Sequence, residues 1–186
     1  MTIDYQQARP HIKSGDLIAY ESQGFFAWCI RRVTATRFTH VGIACQQGRR
    51  LMLLESSERH GVHMRALSKT GNFTWFSTGY PLSWAAFEFW QDRVGYSKYD
   101  WPGIAANAIG RAPERNDQFI CSEFSGEQLM LSGYPLTPAD MANPGTLTTA
   151  LLYNGARMYE VINPVRPKRV MPRWIGRRAR PASPAA

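Results

Sequence analysis

Three residues of this chain have the types that acyl-transfer chemistry needs: Cys121, His40 and Glu55. A thiolate is an intrinsically strong nucleophile. An imidazole moves protons near neutral pH, and a carboxylate beside it fixes its tautomer and raises its basicity. Cys121 stands near the start of residues 119–131, which read as a helix following the polar loop that holds Asn116-Asp117. Free backbone N–H groups and the positive end of the dipole at such a start favour thiolate over thiol. The same N–H groups, with Ser122 beside the sulfur, can receive the oxyanion formed when the thiolate attacks a carbonyl. A cysteine is also a small buried hydrophobe. That description suits Cys29, on an apolar helical face, and Cys45 better than it suits Cys121.

The elements that must position the imidazole and the carboxylate are two strands, residues 38–45 and 51–56, joined by the turn 46–50. A two-residue turn at Gln47-Gly48 pairs Ala44 with Leu51, Gly42 with Leu53 and His40 with Glu55. The period of two then sets the imidazole across from the carboxylate, with Cβ atoms roughly 4.5–5.5 Å apart. Glycine at the second turn position suits such a hairpin. On this face Gly42 and Ala44 leave space above the sheet, whereas Val41, Ile43 and Cys45 point into the core. The alternative is a partly buried histidine and a surface glutamate on a hairpin, with no chemistry between them.

The remaining elements complete an α+β pattern, a small mostly antiparallel sheet packed with helices. Gly15-Asp16 reads as a turn, its Asp bonding local backbone, and leads into a strand at 17–20. Residues 25–33 have helical spacing. Residues 61–67 suggest a third strand of the hairpin region, and the aromatic segment 72–80 is strand or loop. Ser83 caps a helix over 83–94, Asp100-Trp101-Pro102 opens another, and residues 110–117 form a polar loop. Gly133 closes the cysteine helix. Residues 144–153 are helical and 157–162 form a final strand.

The 186 residues, 44% of them hydrophobic, suffice for one domain with a sizeable core. No run of eighteen apolar residues is present, which excludes a membrane-spanning helix. Residues 1–13 lack the apolar middle of a secretory signal, so a cytoplasmic location, or carriage within a particle, is expected. The net charge of +8 is a property of the C-terminus. Residues 164–186 hold seven basic and no acidic side chains, leaving 15 basic against 14 acidic residues in the body, 1–163. A nearly neutral body argues against a broad nucleic-acid-binding face. The Pro- and Arg-rich segment 164–186 is an appendage, either a solvated extension or an anchor to a larger assembly or nucleic acid. Three widely spaced cysteines form neither a CxxC pair nor a zinc-type cluster, so no disulfide framework, metal or cofactor is expected.

In order along the chain, Gly15-Asp16-Leu17-Ile18, Thr39-His40-Val41-Gly42-Ile43, Leu53-Leu54-Glu55, Tyr99-Asp100 and Cys121-Ser122-Glu123-Phe124 form a series. Over residues 14–162 this series resembles the permuted NlpC-type papain-like cysteine hydrolases, in which the strands precede the cysteine helix. Thr137-Pro138-Ala139-Asp140-Met141 is also similar to the stretch after that helix in permuted members. The resemblance implies a circularly permuted papain-like fold with the catalytic cysteine at a helix N-terminus. It implies Cys121 as nucleophile, His40 as general base and acid, and Glu55 orienting His40. Tyr99 matches a tyrosine near the oxyanion and substrate, although the Gly-Gly that often comes after it is missing; the other reading is a core aromatic. His11, His60 and His63 read as surface residues, with His63 the substitute should Glu55 face elsewhere. The implied reaction is cleavage of amides in cell-wall peptides or related small peptide or lipid-linked amides. Two alternatives accompany it: a lipid acyltransfer branch, with residues 73–80 lining an apolar pocket, and an assembly protein that retains the fold.

Overall fold

The computed structural model describes residues 1–21, 31, 36–98, 100 and 118–164. Within them, runs of alternating β-branched, aromatic and aliphatic residues form a seven-stranded mixed sheet. In chain order the strands are β1 (Thr2–Asp4), β2 (Leu17–Tyr20), β3 (His40–Gln47), β4 (Arg50–Ser57), β5 (Gly61–Ala66), β6 (Phe73–Ser77) and β7 (Arg157–Ile162). Their spatial order is β1-β7-β6-β2-β3-β4-β5. Only the β1–β7 pair is parallel; the other neighbours are antiparallel. The helices are α1 (Tyr5–Ala8), α2 (Trp84–Gln91), α3 (Cys121–Leu131) and α4 (Pro144–Tyr153) among the described residues.

The sheet is buried on both faces, and the two-residue period divides its side chains between two cores. Ile18, Ala44, Leu51, Leu53, Phe73, Trp75 and Val161 pack with Tyr5, Ala8 and Ile12 of the N-terminal segment. Leu17, Ala19, Val41, Ile43 and Phe76 pack on the other face with Cys121, Leu129, Leu147 and Leu151. Beside these, Cys45, Leu54 and Val62 meet Trp90 of α2 and Phe124 of α3. Val41, Ile43 and Cys45 therefore point into the core, as the alternation predicts. The space expected above Gly42 and Ala44 is not there. Ala44 is fully buried, and a Cβ on Gly42 would lie 2.8 Å from the Leu54 carbonyl oxygen and 2.9 Å from Leu53 Cδ1. Leu53 fills that volume.

Local signals account for most of the element ends. Ser83 Oγ accepts from Ala86 N at 3.1 Å and so caps α2. Asn143 accepts from Gly145 N and Thr146 N at the start of α4, with Pro144 in the first turn. Gly133, at φ +84°, stops α3. Asp16 does bond local backbone, accepting from Lys13 N at 2.8 Å, but it also accepts from Trp75 Nε1 at 2.8 Å and Thr78 N at 3.1 Å. It thereby ties β2 to β6.

Residues 72–80, strand or loop from sequence, contribute β6, and Phe73, Trp75 and Phe76 are buried in the two cores. The helix expected at 25–33 (Arg31 apart), the helix opening at Asp100-Trp101-Pro102 and the loop 110–117 lie outside the described residues, as does the segment from 165 onward. Among the described residues, no helix is long and apolar enough to cross a membrane.

Candidate active site

Cys121 is the first residue of α3, directly after the extended residue Ile120. The approach to the helix is pinned from two sides. Ser56 Oγ of β4 donates to the Phe119 carbonyl at 2.8 Å, and Phe119 N donates to the Lys98 carbonyl at 3.3 Å. Glu123 reaches back to accept from Ile120 N at 3.3 Å, so the acidic residue of the first turn lies where the helix dipole favours it. Burial and the nearby Asp100 and Glu127 charges push Glu123 up to about 7, against the opposing Ile120 hydrogen bond. The body of α3 is unusually polar for a buried helix, with Ser122, Ser125 and Gln128 all inaccessible to solvent. The Ser122 and Ser125 hydroxyls have no hydrogen-bond partner among the described residues.

The hairpin places His40 and Glu55 together, although in a different register from the one expected. Ala44 pairs with Leu53 and Gln46 with Leu51, leaving Gly48-Arg49 as the turn. Gly48 has φ +56° and occupies the first turn position, the one that demands a positive φ in a tight hairpin. The pairing slides by two residues as a result. One step beyond the last paired residues, Ile43 and Leu54, Glu55 would face Gly42, which makes His40 its diagonal neighbour. Diagonal neighbours on one face remain within reach of long side chains, and Gly42 carries no side chain to intervene. The imidazole Nε2 lies 3.0 Å from Glu55 Oε2.

Glu55 is 2% exposed and acts as a hub. Tyr20, directly across from His40 in the β2–β3 ladder, donates its hydroxyl to Oε2 at 2.7 Å. His63, directly across from Glu55 in the β4–β5 ladder, places Nε2 3.1 Å from Oε1. Arg65 Nε donates to Oε1, and Arg65 Nη2 donates to the Tyr20 oxygen at 2.6 Å. His63 is therefore no free surface residue: it is a second imidazole on the same carboxylate, while His11 and His60 are exposed as expected.

The electrostatics follow from burial set against partners. Burial alone would lower the His40 pKa, but the charge and hydrogen bond of Cys121, then those of Glu55, outweigh it and push the imidazole up to about 10. With Nε2 on Glu55, Nδ1 is the nitrogen left for the thiol. Burial alone would raise Glu55; the hydrogen bonds from His40 and His63 and the charges of His40 and Arg65 hold it well below the usual carboxylate range. Tyr20 is raised by burial and by the Glu55 charge. His63 is raised because its bonds to Glu55 and to the Gly61 carbonyl overcome burial.

The structure thus brings together Cys121, His40 and Glu55, with Ser122 adjacent; Tyr99 lies outside the described residues. Tyr20 and Arg65 were not singled out from sequence. Tyr20 stands directly across from His40 in the β2–β3 ladder, whereas Arg65 stands across from Leu53 and is a diagonal neighbour of Glu55. Among the described residues, no group of three or more His, Cys, Asp or Glu side chains could hold a metal ion. No family model matches the chain, and no curated protein matches it. Among solved structures, the chain is similar to the crystal structure of the metalloprotein yiiX from Escherichia coli O157:H7 (DUF1105), at 16% identity and a TM-score of 0.42. That match covers 64% of this chain and 66% of the other.

Proposed function

We propose that the chain is a thiol-dependent hydrolase of the permuted papain-like, NlpC-type kind, cleaving amide bonds of small peptides through a thioester on Cys121. The observation that carries this reading is the position of His40, whose imidazole lies 3.0 Å from Glu55 and within electrostatic reach of Cys121, while the cysteine opens a helix. The Cys121 thiolate attacks the amide carbonyl, and the oxyanion faces N–H groups of the α3 start, which lack intrahelical partners. The His40 imidazolium gives its proton to the leaving amine, and the C–N bond breaks. His40, now neutral, takes a proton from water as it attacks the thioester, releasing the acid and restoring the pair. Glu55 stays ionised throughout and keeps the imidazole in place. Cys121 is 2% exposed, so a carbonyl reaches its sulfur only on a slim chain. Small peptide amides such as those of bacterial cell walls fit that restriction better than folded proteins.

The test is intact mass of the full chain after incubation with cell-wall peptides, with short lipid esters as a second arm. The expected result is an acyl adduct on Cys121 and released amine with the peptides, both lost in Cys121→Ala. Adduct formation with the esters alone would replace peptide hydrolysis by lipid acyl transfer. Amine release undiminished in Cys121→Ala would overturn the reading.

A further inference from the structure

The proposed chemistry requires one partner on Glu55, the His40 imidazole, yet three further donors converge there. Charged and titratable groups reach the carboxylate from every neighbouring strand: Tyr20 from β2, His40 from β3, His63 and Arg65 from β5, with Cys121 of α3 behind His40. An ionised carboxylate offers about four acceptor sites, so this set saturates it. We propose that Arg65 and Tyr20 are positioning residues of the site, acting through Glu55 to hold it ionised and to keep its Oε2 aimed at His40. The consequence for turnover rests on the hydrolase reading, whereas the ionisation of Glu55 does not.

The assignment rests on what each donor can and cannot do. A carboxyl with 2% exposure is driven by desolvation toward its neutral form. A neutral Glu55 would carry a proton of its own and could no longer accept from all four donors. His40 and His63 are able to lose protons, so neither secures the charge at every pH. Arg65 stays protonated at any pH a protein meets, and it contacts Oε1 through Nε while Nη2 lies 3.5 Å from Oε2.

Tyr20 completes the arrangement. Arg65 Nη2 is only a donor, so the Tyr20 oxygen must accept from it at 2.6 Å. The tyrosine hydrogen is thereby directed to Oε2, at 2.7 Å, the same oxygen that meets His40. The tyrosine ring also packs 5.0 Å from the imidazole, and the guanidinium lies 5.2 Å from the centre of that ring. The direction of the Tyr20 hydrogen at Oε2 is fixed by one permanently charged side chain, itself 28% exposed.

The experiment tracks Glu55 directly, by carboxyl-carbon NMR of the full chain labelled at glutamate, with the Glu55 signal identified by its loss in Glu55→Gln. Parent, Arg65→Met, Arg65→Lys and Tyr20→Phe are titrated, and the pH dependence of Cys121 alkylation is recorded on the same samples. In the parent, Glu55 stays ionised to well below the ordinary glutamate value. In Arg65→Met its midpoint rises by at least one unit, a tenfold gain in proton affinity, with smaller rises in Arg65→Lys and Tyr20→Phe. The acid limb of Cys121 alkylation rises with it. A Glu55 midpoint that stays put in Arg65→Met overturns the proposal. Should that variant not fold, unmoved midpoints in both Arg65→Lys and Tyr20→Phe do the same. A parent Cys121 that resists alkylation in mild acid counts against the hydrolase reading alone, because the Glu55 midpoint still decides the role of Arg65.

Discussion

Glu55→Gln keeps the shape of the hub and removes its charge. The glutamine amide offers one oxygen, and its NH₂ must face either the Tyr20 and His40 side or the Arg65 and His63 side. Both sides present donors, so two hydrogen bonds are replaced by donor–donor contacts whichever way the amide turns. Each buried donor left without an acceptor costs about 1–3 kcal/mol, and removing one member of a buried ion pair costs about 3–5 kcal/mol. The two estimates overlap at roughly 3–5 kcal/mol. In a domain of this size 1 kcal/mol shifts Tm by about 2–4 °C, so the variant melts roughly 6–20 °C below the parent at pH 7. Thermal melting by circular dichroism measures this, and urea unfolding with an unchanged slope shows that the native state lost the energy. The pH dependence has a definite sign. The folded Glu55 pKa is lowered, so its stabilisation is complete above the unfolded value, about 4.3, and is lost as pH falls through the folded one. At the alkaline end the parent's advantage shrinks again as His40 gives up its proton near 10. A variant melting within about 2 °C of the parent at pH 7 would refute the convergence of four donors on one anion.

Three further outcomes rest on single observations. Iodoacetamide at about pH 6 alkylates Cys121 at least tenfold faster than Cys45, whose thiol is pushed up by burial, as peptide mass mapping will report; equal labelling of the two would remove the case for an activated thiol. His63→Gln weakens the protein in mild acid and leaves it nearly unchanged in alkali. The raised folded pKa of His63 means its stabilisation is full below about 6.5 and fades as pH rises through the folded value; urea midpoints of parent and variant that differ equally at both ends would contradict this. Gly15→Ala destabilises by about 2–5 kcal/mol, because φ is +100° and the new Cβ would sit 2.3 Å from the Tyr80 carbonyl oxygen. A midpoint shift below about 1 kcal/mol would show that the β2 approach can relax.

The His40–Glu55 pairing was readable from sequence for a reason that survives the error in its derivation. The expected turn at Gln47-Gly48 and the observed turn at Gly48-Arg49 differ by two residues in pairing. An even slip exchanges direct for diagonal neighbours but keeps each side chain on its face. A slip of one residue would have moved Glu55 to the Leu54 side and ended the argument. The helix of Cys121 was legible from the Phe119–Leu131 pattern and Gly133, and the cap Ser83 from residue type alone. What the chain does not announce is non-local. The β1–β7 pairing joins residues near the two ends of the body through a three-residue strand with no periodicity to detect. Tyr20 and Arg65 are ordinary in sequence and acquire meaning only once β2 and β5 flank the hairpin. Gly42 and Ala44 looked like a floor for an open cleft, because small residues indicate room but not who fills it; Leu53 does.

The hub also bears on how a carboxylate would be tolerated so close to a sulfur that the proposed chemistry turns into an anion. When His40 carries its proton and Cys121 has lost its own, Glu55 alone would leave two negative charges to one positive in a buried site. Arg65 restores the balance at four formal charges summing to zero, its Nε on the far oxygen of Glu55 and its Nη2 no nearer than 3.5 Å to the Oε2 that meets His40. Desolvation penalties are smallest for sets that are neutral as a whole and hydrogen-bonded throughout. A lysine at this position would keep the sum but lose the fork that also directs the Tyr20 hydroxyl. Charge and direction are therefore separable. Arg65→Lys should retain a substantially lowered Glu55 midpoint while sharing with Tyr20→Phe the loosened contact at Oε2, whereas Arg65→Met should lose both at once.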